Sequence, residues 1–569
     1  MAMSMRSCLL VAAIDFGTTY SGYAFSFRND YENDPCKIST PVWNAGSRGL
    51  VSPKAPTCAL FDTHKRFHSF GYEAEDKYAD LAADNEADGW YYFRRNFELE
   101  TDDGKTLSAM LVFSSCLKYI VDHLFKTCQD RISGTERTKI RWVLTVPANW
   151  NDAAKQFMRE AAEKADIPGD QLLITLEPEA ASIFCQHMPI RMLSGTEGGF
   201  QPFQLGSRYL VLDAGGGTID ITVHEVMGDR ELRELHRACG GDWGGTKVDK
   251  AFADLLTDIV GNDVMREFDK KDKSDFIDLF REFEVKKRSF KPGKKDKMNI
   301  RVSIALAEIC KAKRGKEIND IIASKPKYKD RITWPGDKLR IEHDVATELF
   351  QESCNAIVEH LKSLFNEPEV QDVTTILMVG GYSESPILQD FVKTNFKQKK
   401  IIIPADPDLA VVKGAVIFGH NHDRIAERIC RYTYGMRVSV PFIHDEHPLE
   451  KLYITDQGEE QCSDVFFKFA EIGDPVRRGE PQYEGTHQPA NCEQDYISIP
   501  IYASTENDPV YVTDKSCIYM GTIHIHLEKT VGNDRQIFVQ IYLGGTEIEV
   551  KAEEKNTGKA VSATFNFLD

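Results

Sequence analysis

Ile14-Asp15-Phe16-Gly17-Thr18-Thr19-Tyr20 and Leu212-Asp213-Ala214-Gly215-Gly216-Gly217-Thr218-Ile219-Asp220 decide the fold class of this 569-residue chain. The first lies within Leu9 to Phe27, where an apolar strand enters a Gly-Thr turn and a second strand of small and aromatic residues leaves it. The second lies within Tyr209 to Val226, where Leu210-Val211-Leu212 and Ile219-Asp220-Ile221-Thr222-Val223 flank the glycines. Both read as β-hairpins with an Asp closing the first strand. Asp15 and Asp213 stand about one domain's length apart, so the pair signals an internal duplication.

The turns have the chemistry of a phosphate cradle. Phosphates need backbone N–H groups that can come close, which favours Gly, and hydroxyls that add hydrogen bonds. Gly17, Thr18 and Thr19 offer both, as do Gly215, Gly216, Gly217 and Thr218. Asp15 and Asp213 would sit beside the phosphates, where a carboxylate is tolerable only across a cation; Mg²⁺ with retained waters is the natural bridge. One such turn is an ordinary glycine hairpin, but two matched turns at domain spacing argue for a shared site.

Around the hairpins, buried strands alternate with amphipathic helices. Arg141 to Val146 reads as a strand and Asp152 to Ala165 as a helix with Asn151 or Asp152 at its N-cap. Leu172 to Leu176 is a strand before a helix starting near Pro178, and Thr375 to Val379 a strand before a helix near Ser385-Pro386. This is an α/β arrangement with mainly parallel cores. From Tyr432 the pattern becomes all-β: Val465 to Ala470, Tyr496 to Tyr502, Ile518 to Leu527, Gln536 to Leu543, Thr546 to Ala552 and Val561 to Phe567, the expected strands of a sandwich without a terminal helix. The division predicted is a two-lobed unit over 1–425 (lobes 1–207 and 208–425) and a smaller β-rich unit over 426–569.

The bulk numbers fit two to four domains. A formal net charge of −18 argues against nucleic acid as the main partner, which needs clustered Lys and Arg. Thirteen cysteines, none in a C-x-x-C pair, fit reduced thiols, so the cytosol or nucleus is the expected compartment. No run of about 18 apolar residues predicts a membrane span. Met1 to Val11 reads as the lead into the first strand rather than a signal peptide.

Ala13 to Ser21 and Leu212 to Asp220 resemble the two phosphate motifs of the 70-kilodalton heat-shock chaperones, members of the actin-like ATPase superfamily. Val146-Pro147-Ala148-Asn149-Trp150 and Glu177-Pro178-Glu179-Ala180-Ala181 are similar to the family's connecting segments. Asp242-Trp243-Gly244-Gly245 with Asp249, Val379-Gly380-Gly381-Tyr382-Ser383, and Pro407-Asp408 with Gly414-Ala415 complete the series in family order. The resemblance implies a duplicated actin-type fold, ATP or ADP as ligand with Mg²⁺, and protein clients, with co-chaperones as possible further partners. It makes Glu177 and Asp213 the residues that order the attacking water, Thr18 and Thr218 the γ-phosphate contacts, and Gly244, Gly245, Gly380, Gly381, Tyr382 and Asp408 parts of the nucleotide wall. Glu284, Lys287, Arg288 and Lys291 fall on one helical stripe; the resemblance assigns such a helix to ribose and adenine, whereas alone it would read as a solvated basic run.

The departures point to the divergent heat-shock protein 12-like branch. The lysine that the family sets against the γ-phosphate is not obvious; the local sequence is Trp90-Tyr91-Tyr92-Phe93-Arg94-Arg95-Asn96, and Arg95, or else Arg94, is the expected substitute. A guanidinium cannot give up its proton, so slow hydrolysis is expected. The family's apolar linker is missing around 420–432, and a polar Asp423 to Arg431 predicts weak coupling between nucleotide and client. Ile548 to Ala552 with Asn556 to Lys559 resembles the late strand and turn of the chaperones' peptide-binding domain. His524 with His526, and His64 with His68, read as structural pairs, and Cys58 and Cys185 as inert. Three classes of function stay open: a weak ATPase chaperone, a nucleotide-gated scaffold, and a metabolite kinase of the same superfamily.

Overall fold

The computed structural model describes residues 8–45, 50–84, 86–93, 106–131, 136–195, 202–293, 296–455, 457–489, 496–527, 536–555, 558–561 and 563–566. The duplication is present as two sheets of one plan. In the first, Leu10–Phe16 lies between parallel Ile140–Val146 and antiparallel Tyr20–Phe27, with Leu172–Leu176 and Ala55–Pro56 at the edges. In the second, Arg208–Ala214 lies between parallel Thr375–Val379 and antiparallel Ile219–Val226. Every residue of Leu10–Phe16 and of Thr375–Val379 is buried, because helices or the other lobe cover both faces. Such strands read as continuous apolar runs rather than alternations.

Two helices fasten the lobes. Glu177–His187 and Ala410–His420 are buried over most of their length. They share one apolar cluster with Val11, Ala13 and Val143 of the first sheet and with Val211, Leu377 and Val379 of the second. The lobes are thereby held together at one end, and the two Gly-Thr turns meet at the base of the cleft that remains. The helix Asp152–Lys164 is capped by Asn151, whose side chain accepts the Ala154 N–H at 2.9 Å, which decides between the two expected caps.

The all-β character after Tyr432 is a sandwich. Leu452–Ile454, Glu460–Ala470, Thr433–Pro441, Tyr496–Ser504, Cys517–His526 and Ala563–Asn566 form one sheet; Tyr483–His487, Ile537–Tyr542, Glu549–Glu554 and Lys559–Val561 form the other. Ile497, Ile499, Ile501, Ile523 and Ile525 meet Ile537, Val539 and Ile541 between them. No α-helix follows His420 among the described residues.

Two findings modify the sequence reading of this region. Ile425–Ile429 joins the second-lobe sheet in parallel with Leu232–Gly241, and Pro475–Arg477 pairs with it in turn. The stretch from Thr546, expected to start a strand, stays a loop up to Glu549 and docks on the first lobe. There Lys155 donates to the Thr546 carbonyl at 3.1 Å and Arg159 holds Glu547 through two bonds of 2.7 and 2.6 Å.

Candidate functional site

The cleft between the lobes is a cavity of about 500 Å³ whose floor is the pair of turns. They touch. A Cβ added to Gly216 would lie 2.1 Å from Thr19 Oγ1, and one on Gly217 would lie 3.0 Å from Thr18 Oγ1. The glycines are therefore required by close approach, and the result is a ring of backbone amides and threonine hydroxyls. Gly215 N–H closes its own turn on the Thr218 carbonyl at 3.0 Å, and Thr57 Oγ1 donates to the Gly17 carbonyl at 2.6 Å. Gly244 supports the ring from behind, its N–H on the Gly217 carbonyl, while Gly245 lines the cavity itself.

Carboxylates crowd one end. Asp15, Glu177, Asp213 and Asp408 all line the cavity. Asp15 Oδ1 accepts from Thr145 Oγ1 at 3.2 Å and Oδ2 from Lys54 Nζ at 2.6 Å. Asp213 is 4% exposed and its Oδ2 has no hydrogen-bond partner. Burial, reinforced by Asp220 and Asp15 and eased by Lys54, pushes its carboxyl up to about 8. Burial, then Asp15, Asp213 and Asp220, likewise hold Glu177 well above the usual carboxylate range. A buried carboxylate oxygen left without a donor amid excess negative charge fits a divalent cation. Among the described residues no group of three His, Cys, Asp or Glu is gathered as direct ligands. An ion beside Asp15 and Asp213 would thus be held through its own waters, as Mg²⁺ prefers.

At the other end, Lys273–Ser289 turns Glu284, Lys287 and Arg288 toward the cavity, together with Tyr20 and Tyr382, while Gly380 and Gly381 line it beside Asp213 and Asp408. Lys287 is buried between Asp249 at 2.7 Å and Glu284 at 2.6 Å. Arg288 pairs with Glu284 at 2.8 Å, and its guanidinium lies 5.0 Å from the centre of the Tyr20 ring, so it presents a flat cationic face. Such a face suits a planar base.

Two sequence-derived positions fall elsewhere. Lys291 is exposed and lies past the helix, because Phe290 leaves helical geometry at φ −71°, ψ 129°. Asp220 is not on the cavity wall; it is buried behind the second turn, accepting the Asn149 N–H at 2.9 Å and so tying the lobes together. Arg95 and Arg94 lie outside the described residues, as do Asn556 and Thr557.

Lys54 is the residue sequence reasoning missed. It lies before the edge strand Ala55–Pro56, carries no motif, and reaches the carboxylate end through pairing of that strand with Tyr20–Phe27. Burial alone would depress its ammonium, but Asp15, Asp408 and Glu177 outweigh burial and hold it above the usual lysine range. Also missed was a bridge across the cleft mouth: Arg281 of the second lobe donates through Nε to Glu75 of the first at 2.8 Å, both side chains nearly buried.

The remaining pairs stay structural. His524 Nδ1 meets Ser498 Oγ at 3.2 Å, and His68 packs edge-on against Trp90. Burial raises the Cys185 thiol far above its ordinary range, which removes its nucleophilic form. No helix of the described residues is long and apolar enough to cross a membrane.

The family model for the Hsp70 protein matches residues 98–424. Heat shock 70 kDa protein 12A of Homo sapiens is 34% identical over 99% of this chain and 92% of its own length. Heat shock 70 kDa protein 12B of the same organism is 33% identical over the whole chain and 92% of its own length. The stromal 70 kDa heat shock-related protein of Pisum sativum chloroplasts is 24% identical over 72% of this chain and 52% of its own. The similarity to both 12A and 12B spans nearly the full length, whereas the chloroplast relative matches over a shorter stretch. The chain belongs to the Hsp70 family, in its divergent heat shock 70 kDa protein 12-like branch.

Proposed function

We propose that this protein binds ATP and ADP with Mg²⁺ in the interlobe cleft, hydrolyses ATP slowly, and uses the nucleotide to handle unfolded segments of client proteins. The observation that carries the reading is the contact of two Gly-Thr turns beneath a cluster of buried carboxylates. Phosphates would lie on the amides and on Thr18 and Thr218. Mg²⁺, when bound, screens the developing charge on the phosphates. Glu177 and Asp213 would hold the attacking water, Glu177 with its carboxyl held above the usual range by burial and then by Asp15, Asp213 and Asp220. The site belongs to the two lobes, and the sandwich that starts at Thr433 supplies the client surface.

Client binding is supported by apolar residues left exposed on the sandwich, among them Ile454, Phe467, Ile518 and Tyr519. Leu452–Ile454 is a short edge strand with free ladder positions on one side, suited to an added extended segment. With no helix over it among the described residues, release should be fast and affinity modest. The polar Asp423 to Arg431 segment, from which weak coupling was expected, is itself docked. Arg428 holds Glu179 at 2.9 and 2.6 Å, two residues along from Glu177, and Arg431 donates to the carbonyls of Ala148, Asn149 and Trp150. The coupling we propose runs through these arginines. The twelve free cysteines of the described residues suit a reducing compartment, cytosol or nucleus.

Calorimetric titration with Mg-ATP and Mg-ADP, followed by single-turnover hydrolysis with and without a sugar panel, tests the reading. Asp213→Asn should slow hydrolysis by roughly tenfold or more while leaving ADP affinity within about threefold, since its task is placing metal-bound water. Loss of ADP affinity with an unchanged rate per bound nucleotide would refute that role. Binding without turnover would move the protein to the scaffold reading, and sugar-dependent turnover to the kinase reading. Failure of the full chain to bind apolar peptides with either nucleotide would remove the chaperone part.

A further inference from the structure

The carboxylate end of the cleft poses a charge problem. Asp15, Glu177, Asp213 and Asp408 face the space in which a triphosphate, itself strongly anionic, would end. A single hydrated divalent ion leaves that end net negative. Of the other cationic side chains on the cavity wall, Lys287 is engaged by Asp249 and Glu284, Arg288 by Glu284 and Arg281 by Glu75, while Lys250 is exposed to solvent. Lys54 is the described cation that reaches the carboxylate end, with Nζ 2.6 Å from Asp15 Oδ2 and a side chain 13% exposed.

Its position is built into the fold. Gly22 stands opposite Asp15 in the first hairpin, and a Cβ there would lie 2.9 Å from Lys54 Cγ. The missing side chain at Gly22 thus forms the channel along which the lysine stem crosses the strand to reach Asp15. The ammonium bonds to a carboxylate that would otherwise face a bound metal and its waters.

We propose that Lys54 supplies the fixed positive charge that receives the terminal phosphate of ATP, leaving Asp15 for that phosphate when the nucleotide enters. The inference rests on the nucleotide reading of the cleft. Without ligand, Lys54 neutralises Asp15 and keeps the buried carboxylates compatible; with ATP, the ammonium turns to the phosphate and Asp15 becomes available to the waters of the incoming metal ion. ADP, lacking the terminal phosphate, leaves the lysine on Asp15. Lys54 would in this way let the protein distinguish its two nucleotides, from a strand edge rather than from the Arg94-Arg95 segment.

Two experiments on the full chain test this. In the first, ATP and ADP affinities are measured by calorimetry for the unmodified chain and Lys54→Met. ATP should weaken by about tenfold, worth about 1.4 kcal/mol, with ADP changed by less than about twofold. Equal weakening of both nucleotides, or of neither, overturns the proposal. The second needs no variant and so decides the matter if Lys54→Met does not fold. An acyl-phosphate derivative of ATP is incubated with the unmodified chain. A nearby lysine amine bonds to the acyl carbon, the bond from that carbon to the phosphate oxygen breaks, ATP departs, and the amine's proton goes to solvent. Mass spectrometry should find the acyl group on Lys54, and excess ATP should prevent it. Acylation of other lysines alone, or none, in a chain that binds ATP overturns the proposal. A chain that binds neither nucleotide overturns the nucleotide reading and this inference together.

Discussion

Glu234 offers a measurable test of how the polar segment is docked. It is 5% exposed, and its Oε2 accepts the Ile429 N–H at 2.9 Å, at the strand that joins the second-lobe sheet. Burial, aided by Glu179 and opposed by that N–H, Arg428 and Arg431, pushes its carboxyl from 4.5 up to about 7; the neighbouring thiols of Cys239 and Cys430 stay neutral. The folded chain therefore keeps a proton that the unfolded chain releases from pH 4.5 upward. The contribution of this group to stability is fully present below pH 4.5 and is lost as pH rises toward 7, by about 1.4 kcal/mol per unit while only the unfolded form is ionised. Glu234→Gln keeps an acceptor for Ile429 and cannot ionise. Its stability relative to the unmodified chain should accordingly improve by about 2 kcal/mol between pH 5.5 and pH 8. Urea denaturation at the two pH values, followed by tryptophan fluorescence, measures the difference. A gap that does not change with pH, or a variant that grows relatively weaker at pH 8, would refute the assignment of Glu234 as a buried, late-ionising carboxyl.

Glu75→Gln removes the charge that holds Arg281 across the cleft mouth, and fluorescent ADP should then dissociate roughly tenfold faster in stopped flow, with association nearly unchanged; an unchanged release rate would show that the bridge does not restrain opening. Arg431→Ala frees the carbonyls of residues 148–150, of which Trp150, like the adjacent Pro147, lines the cavity. Addition of ATP should then shift peptide affinity by less than about twofold, against a larger shift in the unmodified chain, as expected when the contact that differs between two states is cut. An ATP effect of full size in the variant would place the coupling elsewhere.

What the sequence disclosed was set by the range of the interactions concerned. The two hairpins, the parallel strands and the caps are local: apolar runs, turn glycines and Asn151 lie together in the chain. The cleft's most consequential cation was not local. Ser52-Pro53-Lys54-Ala55-Pro56 has no pattern beyond an edge strand, and Lys54 meets Asp15 only because that edge pairs with the first hairpin, 39 residues away. Arg281 and Glu75 are separated by 206 residues and by the cleft itself. Lys291 failed for the opposite reason, since the helical stripe continues in sequence past the point where the backbone stops being helical. The linker shows the deeper limit. An apolar linker announces itself by composition, but Ile425–Ile429 docks by adding a strand, and backbone ladders leave no compositional mark. The side chains that seal it are polar: Arg428 reaches Glu179, the Gly544 carbonyl and Thr546 at once. Because Arg428 and Glu179 are buried, removing either one leaves the other's charge uncompensated, which costs more than their attraction contributes. A link of that kind tends to be all or none. If the proposed coupling runs through Arg428, the sandwich and Glu179 must part together, since the guanidinium bridges both.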